Sequence, residues 1–243
     1  MYVDVHSHVI PSGDDGALSV EDGLALCREA AQRGTRVLYG TPHVWPLERL
    51  SRERERDVRR AHAVMAGETA ELELDLRLGF ELTPSPTLLA EPLGRYALAG
   101  LDPPTLLVEF PFVGDLDLLA RLCERADAEG FRLVLAHPER SEAVLADPPS
   151  AAAYAERGWL LQVNGSSLLG RHGPLAEAVG WSLLERGLAG IVASDGHRAS
   201  RPPHLDEAHA LALSRLGDAA NGIFGGSGLG FPAAPASPEP ARA

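Results

Sequence analysis

The feature that most constrains this chain is a repeated two-part unit. About seven times along the sequence, a short apolar run of β type is followed by a stretch with helical spacing. The runs 105–108, 131–136 and 190–193 are mainly apolar, interrupted by Thr105 and Arg132, whereas 72–81 alternates leucine with charged residues. Alternating strands and helices imply mostly parallel strands joined by right-handed crossovers. Ser19 predicts a helix cap with Asp22 near its third position, Val20, Leu24, Cys27 and Ala31 on one face, and a stop at Gly34. Further helices are expected over 49–66, 115–129, 150–157, 174–186 and 205–216. The 243 residues suit one large α/β domain or two small ones.

Composition narrows the function classes. No apolar run approaches the ~20 residues of a membrane span, and the N-terminus lacks a signal-peptide pattern, so a cytoplasmic protein is expected. Against 34 acidic side chains stand 22 basic ones, a net charge of −12 that repels nucleic acid and anionic lipid. Cys27 and Cys123 sit among apolar residues at helical spacing, which argues against disulfides and thiolate metal sites. Cys27 and Arg33 formally match a C-x5-R phosphatase signature. The intervening residues are mid-helix and contain no glycine to form a phosphate-cradling loop, so the match is read as chance.

Each strand-like run ends on polar chemistry. In the first, His6 and His8 alternate along a strand and so share a face, where two imidazoles can grip an ion. The later runs deliver His43, Glu81, Glu109, His137, Asp195 and His197, and Asp15 follows the first. Singly, each has a bland reading as a cap or packing residue; together they form a nitrogen and oxygen ligand set without sulfur, suited to Mn, Fe, Zn or Ni. Nine groups exceed one ion, so two or three divalent ions sharing carboxylates are expected. Asn164, Ser166 and Ser167 read equally as a site rim or as a strand-end turn. His62, His172, His204 and His209 lie away from strand ends and read as surface or structural residues.

The series Asp-Val-His-Ser-His, Asp-Asp-Gly, Thr-Pro-His, Gly-Phe-Glu, Glu-Phe-Pro, His-Pro-Glu-Arg, Gln-Val-Asn-Gly-Ser-Ser and Ser-Asp-Gly-His resembles the PHP (polymerase and histidinol phosphatase) superfamily. More narrowly, it is similar to the bacterial metal-dependent protein-tyrosine phosphatases of capsule and exopolysaccharide operons. The resemblance implies a distorted (β/α)7 TIM-like barrel, in one catalytic unit over residues 1–224. Residues 225–243, rich in Gly, Pro and Ala, are expected to be a disordered tail. It also implies a manganese-type centre with His6, His8, Asp15, His43, Glu81, Glu109, His137, Asp195 and His197 as ligands. Arg140 and Arg201 match the family's phosphate-binding arginines. The His197-to-Arg201 interval is a residue shorter than the family pattern, so Arg198 stands as the alternative. The implied partner is a phosphotyrosine protein, an autophosphorylating bacterial tyrosine kinase being the natural one, and the implied role is regulation of capsular polysaccharide synthesis.

The ligand set itself favours phosphoryl hydrolysis. Four carboxylates against three divalent ions leave a site of about +2, which attracts a phosphate dianion despite the acidic surface. A water bridging two ions becomes hydroxide near neutral pH. Two rivals remain: a histidinol-phosphate phosphatase of the same superfamily, and a metal-stabilised regulatory module without catalysis.

Overall fold

The computed structural model describes residues 1–46, 50–114 and 116–232. Its strands are β1 (Tyr2–Ser7), β2 (Thr35–Gly40), β3 (His43–Val44), β4 (Asp75–Leu78), β5 (Glu81–Leu82), β6 (Thr105–Glu109), β7 (Arg132–Ala136), β8 (Leu160–Asn164) and β9 (Ala189–Ala193). All pairings are parallel, as the strand–helix alternation predicts. They form two sheets, one in the order β1-β2-β4 and one in the order β3-β5-β6-β7-β8-β9. β2 and β3 belong to one run of chain, interrupted at Thr41-Pro42, where the proline has no N–H for the ladder. β4 and β5 are interrupted likewise at Gly79-Phe80, so the run expected over 72–81 is split between the sheets.

Helices α1 (Val20–Gln32), α2 (Arg52–Thr69), α3 (Asp117–Ala128), α4 (Glu142–Ala146), α5 (Ala152–Ala155), α6 (Gly165–Leu168), α7 (Pro174–Glu185), α8 (Asp206–Leu216) and α9 (Ala219–Phe224) fill the connections. The Ser19 cap forms as expected, its hydroxyl accepting the Asp22 N–H at 3.1 Å. The buried stripe of α1 is rotated from the expected one. Gly23, Leu26, Cys27, Ala30 and Ala31 are buried, whereas Val20 and Leu24 are only half so. Three short helices that the sequence does not predict, α4, α6 and α9, carry too few residues for a periodicity to show. Among the described residues no helix is long and apolar enough to cross a membrane.

Strands β6 to β9 are buried on both faces, which is why they read as apolar runs, whereas β4 leaves Asp75 exposed and Arg77 half-buried and keeps its alternation. Leu106 and Val108 face the helices within the larger core cluster. Leu107 points the other way, into an inner cluster with Val3, Val5, Tyr39, Val134, Ile191 and Ala193, drawn from both sheets. That inner cluster corrects the expected tail boundary. Residues 227–229 form a 3-10 turn, Leu229 is buried against the inner cluster, and the Arg77 guanidinium lies 5.5 Å from the Phe231 ring centre. Isolated apolar residues among glycines show no period, yet they close the N-terminal end of the strands. The remainder of the expected tail, 233–243, lies outside the described residues.

Candidate metal centre

At the other end of the strands the polar residues gather. β1 carries His6, with His8 just beyond it; β3 and β5 begin with His43 and Glu81; β6 ends with Glu109. His137 follows β7, Asn164 ends β8, and Asp195 and His197 follow β9. Strand pairing sets the levels: His43 lies opposite Glu81, and Glu109 opposite Ala136, next to His137.

Glu81 is the hub, and it is fully buried. Its Oε2 lies 2.9 Å from His43 Nδ1 and 3.2 Å from both His6 Nε2 and His8 Nε2, while Oε1 lies 3.0 Å from His137 Nε2. Asp195 Oδ1 sits 3.5 Å from His6 Nε2 and 3.6 Å from His8 Nε2. Asp15 Oδ1 lies 3.3 Å from His197 Nε2 and 3.5 Å from His43 Nε2. Ligand atoms of His8, Asp15, His43 and His197 all fall within 4.8 Å of one another, as do those of His6, His8 and Glu81, and those of Glu81, Glu109 and His137. His8 and Glu81 each belong to two of these groups, so the groups adjoin. The structure thus brings together all nine residues singled out in the sequence.

These residues fit a cation better than they fit one another. Glu81 Oε2 and His43 Nδ1 approach closely, yet both are buried without a completed hydrogen bond, as are His8 Nδ1 and His137 Nδ1. His6 Nε2 and His8 Nε2 point at each other across 3.2 Å. Burial favours neutral imidazoles, but Glu81 and Asp195 outweigh it at His6 and push it up to about 9. Burial is outweighed at His43 as well, where Glu81 and Asp15 push the ring up to about 11. For Glu81 itself, burial is overcome by His6 and His43, which hold the carboxyl well below its usual range. The carboxylates therefore demand positive charge at their centre. Divalent ions would answer that demand and displace the imidazole protons.

A surrounding set of groups fixes how these imidazoles and carboxylates point. Gln162 Oε1 lies 3.0 Å from His6 Nδ1, placing a hydrogen there and turning Nε2 toward Glu81. Gln162 Nε2 donates to Asn164 Oδ1 at 2.8 Å, and Asn164 Nδ2 donates to Asp195 Oδ2 at 2.8 Å. His197 Nδ1 is tied to the Asp195 carbonyl at 2.8 Å. Thr83 donates its hydroxyl to Glu109 Oε2 at 2.5 Å. Asp14 accepts the His43 N–H at 3.1 Å and the Gly16 N–H at 3.0 Å, with His8 Nδ1 3.6 Å from its Oδ2. Burial pushes Asp14 up, but His8, Ser12 and Gly16 together hold it well below the carboxylate range. Gly16 must be glycine, because a Cβ there would stand 2.4 Å from the His8 carbonyl oxygen.

Both expected arginines face this centre. Arg140 Nη1 donates to Asp195 Oδ2 at 3.1 Å, and its guanidinium lies 4.6 Å from the Phe112 ring centre. Phe112 in turn stacks on His137 at 5.2 Å. Arg201 Nη2 is 3.9 Å from Asp195 Oδ1. Arg140 and Arg201 line one cavity of about 310 Å³ with Ser166, His172 and Ser194. The alternative, Arg198, is engaged elsewhere: its Nε donates to the carbonyls of Asp15 and Gly16 at 2.9 and 3.0 Å, fastening the loop that carries Asp15.

The chance reading of the C-x5-R match agrees with the structure, since Cys27 is buried mid-helix and burial pushes its thiol up to about 12. Asn164 takes part in the site, resolving one open alternative. Sequence reasoning missed Asp14, Thr83 and Gln162, whose spacing carries no ligand signature. It also misjudged His172 and His204, which are half-buried on the arginine cavity. His62, by contrast, bonds the Leu76 carbonyl at 3.0 Å, and His209 contacts Asn221 at 3.1 Å, both away from the centre.

Comparison with known proteins adds a family. The sequence model for capsular polysaccharide synthesis proteins, CpsB/CapC, matches residues 2–224. The tyrosine-protein phosphatase YwqE of Bacillus subtilis is 29% identical over 215 residues, covering 85% of this chain and 82% of YwqE. The tyrosine-protein phosphatase CpsB of Streptococcus pneumoniae is 26% identical, covering 88% of this chain and 91% of CpsB. A crystal structure from work on YwqE and CpsB, described there as metal-dependent tyrosine phosphatases, superposes with a TM-score of 0.79 at 25% identity, covering 90% of this chain and 89% of that one. The lactonase Lmo2620 of Listeria monocytogenes matches at TM-score 0.55 and 14% identity over 96% of this chain and 95% of its own, a likeness of fold alone.

Proposed function

The chain belongs to the CpsB/CapC family of capsular polysaccharide synthesis, and on that premise we propose that it is a metal-dependent protein-tyrosine phosphatase. The observation that carries the reading is local. Four histidines converge on the buried carboxylate of Glu81, and two arginines share the adjoining cavity. The residues that would hold two or three divalent ions, manganese in first place with iron or zinc as alternatives, are His6, His8, Asp15, His43, Glu81, Glu109, His137, Asp195 and His197. Such ions supply Lewis acidity and lower the pKa of water.

The chain's own groups do the rest. Arg140 presents a planar fork to phosphate oxygens, and Asp195 and the Phe112 face hold that fork in place. Arg201 adds a second positive charge on the same cavity. Phe112 and Trp45, stacked on His137 and His43 at 5.2 and 5.0 Å, offer aromatic surface to a phenyl ring. Gln162 and Asn164 keep the His6 and Asp195 lone pairs aimed inward.

Two sheets bridged at both junctions support a distorted (β/α)7 barrel. At one junction the chain passes from β2 to β3 and from β4 to β5; at the other, Ser7 pairs with Gly196 and Asp195 N–H donates to the His6 carbonyl at 2.9 Å. The substrate is a phosphotyrosine protein, for which the relatives' chemistry speaks; an autophosphorylating tyrosine kinase of a capsule system, met in the cytoplasm, completes the proposal.

The test is phosphate release by chelator-stripped protein reloaded with Mn²⁺, on a phosphotyrosine peptide and on histidinol phosphate. Mn²⁺-dependent preference for the peptide is expected. Faster release from histidinol phosphate would move the function to a small-molecule phosphatase, and no release from either would leave a binding module.

A further inference from the structure

A file of side chains that takes no part in ligation ends in the arginine cavity. Glu139 is fully buried, and its Oε1 accepts the Asn164 N–H at 2.9 Å and the Ser167 hydroxyl at 2.7 Å. With its hydrogen given to Glu139, the Ser167 oxygen is an acceptor. His172 Nδ1, 2.8 Å away, must then be the donor. The same order holds if Glu139 is protonated, because its Oε2 is without a partner and would carry the hydrogen. His172 is therefore fixed as one tautomer, with hydrogen on Nδ1 and a lone pair on Nε2.

The loop that carries His172 is shaped to hold it there. Gly170 and Gly173, at φ +71° and +91°, bracket Arg171 and His172, and the Gly173 N–H closes onto the Gly170 carbonyl at 3.0 Å. His172 lines the cavity together with Arg140, Arg171, Ser194, Arg201 and His204. Burial first, and then Arg140, push the imidazole down to about 4; Arg201 and His137 act in the same sense and Asp195 against them. Arg171 is partly offset by Glu207 at 2.7 Å. A phosphate dianion seated on Arg140 and Arg201 reverses that field and draws a proton from solvent onto Nε2.

Resting on the phosphatase reading, we propose that His172 is the general acid of this enzyme, its Nε2–H protonating the phenolic oxygen as that oxygen leaves phosphorus. The water oxygen bonds to phosphorus while the aryl O–P bond breaks, its electron pair staying on the phenolic oxygen. That oxygen takes the His172 proton and departs as tyrosine. The attacking water keeps one hydrogen as hydrogen phosphate and releases the other to solvent, from which His172 is recharged. Ser167 and Glu139 are positioning residues.

The experiment compares wild type and His172→Gln, as Mn²⁺-loaded full chains, on aryl phosphates from nitrophenyl to phosphotyrosine. The variant should lose about a hundredfold in kcat on phosphotyrosine and far less on nitrophenyl phosphate, whose leaving group needs no proton. The dependence of kcat on leaving-group pKa should steepen, and the high-pH limb of the wild-type profile should vanish. Equal loss on every substrate, or no loss, would overturn the assignment while leaving the phosphatase reading intact. A wild type inert on all of them would overturn both. Long-range ¹⁵N spectra of the unmutated chain at neutral pH give a second readout. The Nδ1–H tautomer of His172 supports the proposal, and the Nε2–H tautomer overturns it even if the variant fails to fold.

Discussion

Asp14→Asn separates a residue that builds the centre from one that ligates it. The Asp14 carboxylate accepts two backbone N–H groups, from Gly16 at 3.0 Å and His43 at 3.1 Å. An amide keeps one oxygen, so whichever way it turns, its NH₂ faces one of those donors. One charge-assisted hydrogen bond is lost and one buried donor is left without a partner, costing roughly 2 to 4 kcal/mol in total. In a chain of this length that lowers the melting temperature by roughly 5 to 15 °C. The His43 backbone and the His8 ring lose their anchor together, so Mn²⁺ affinity should fall roughly 10- to 100-fold. Asp15→Asn is the control. Its side chain is 58% exposed and faces His43 and His197, so it should cost metal affinity with little change in melting. Calorimetric titration of Mn²⁺ into stripped protein, with thermal unfolding of the metal-free forms, reads both quantities. An Asp14→Asn protein that melts with the wild type, or an Asp15→Asn protein destabilised as strongly, would refute the division of roles.

Other outcomes follow from the same geometry. Arg140→Ala should reduce kcat/KM on a phosphotyrosine peptide by roughly a hundredfold or more, with Arg140→Lys recovering only part, since charge returns without the fork. Arg198→Ala should weaken Mn²⁺ binding through the Asp15 loop rather than phosphate binding, read by inhibition with inorganic phosphate. Cys27 and Cys123, both buried with thiols pushed up by burial, should resist iodoacetamide in the folded protein, and activity should survive Cys27→Ser. His172 gives the stability curve an acid limb: the unfolded imidazole binds a proton near pH 6.5, the folded one only near 4, so its contribution is present above about 6.5 and lost as pH falls toward 4. His172→Asn should flatten that part of the curve in urea melts.

Much of this was legible in the sequence because two signals coincide at the same places. The apolar runs give parallel strands buried on both faces, and a buried strand end cannot carry His43, Glu81 or His137 without a partner. The residues that fix ligand direction gave no such signal. Gln162 reads as one polar residue in a strand, and Asp14 differs from Asp15 only by which way a turn faces. His172 sits on a loop, and its role depends on Ser167 and Glu139, whose alignment no spacing rule encodes. Leu229 and Phe231 were hidden among glycines, because closing the end of a core needs one or two side chains and no periodicity.

The measurement that bears most directly on the account is anomalous diffraction at the manganese edge from crystals of the full chain grown with Mn²⁺. Two or three peaks are expected between the side chains of His6, His8, His43, Glu81 and His137, lost in Glu81→Ala crystals. A fully ordered centre with no peak there, or peaks only at surface carboxylates, would contradict it.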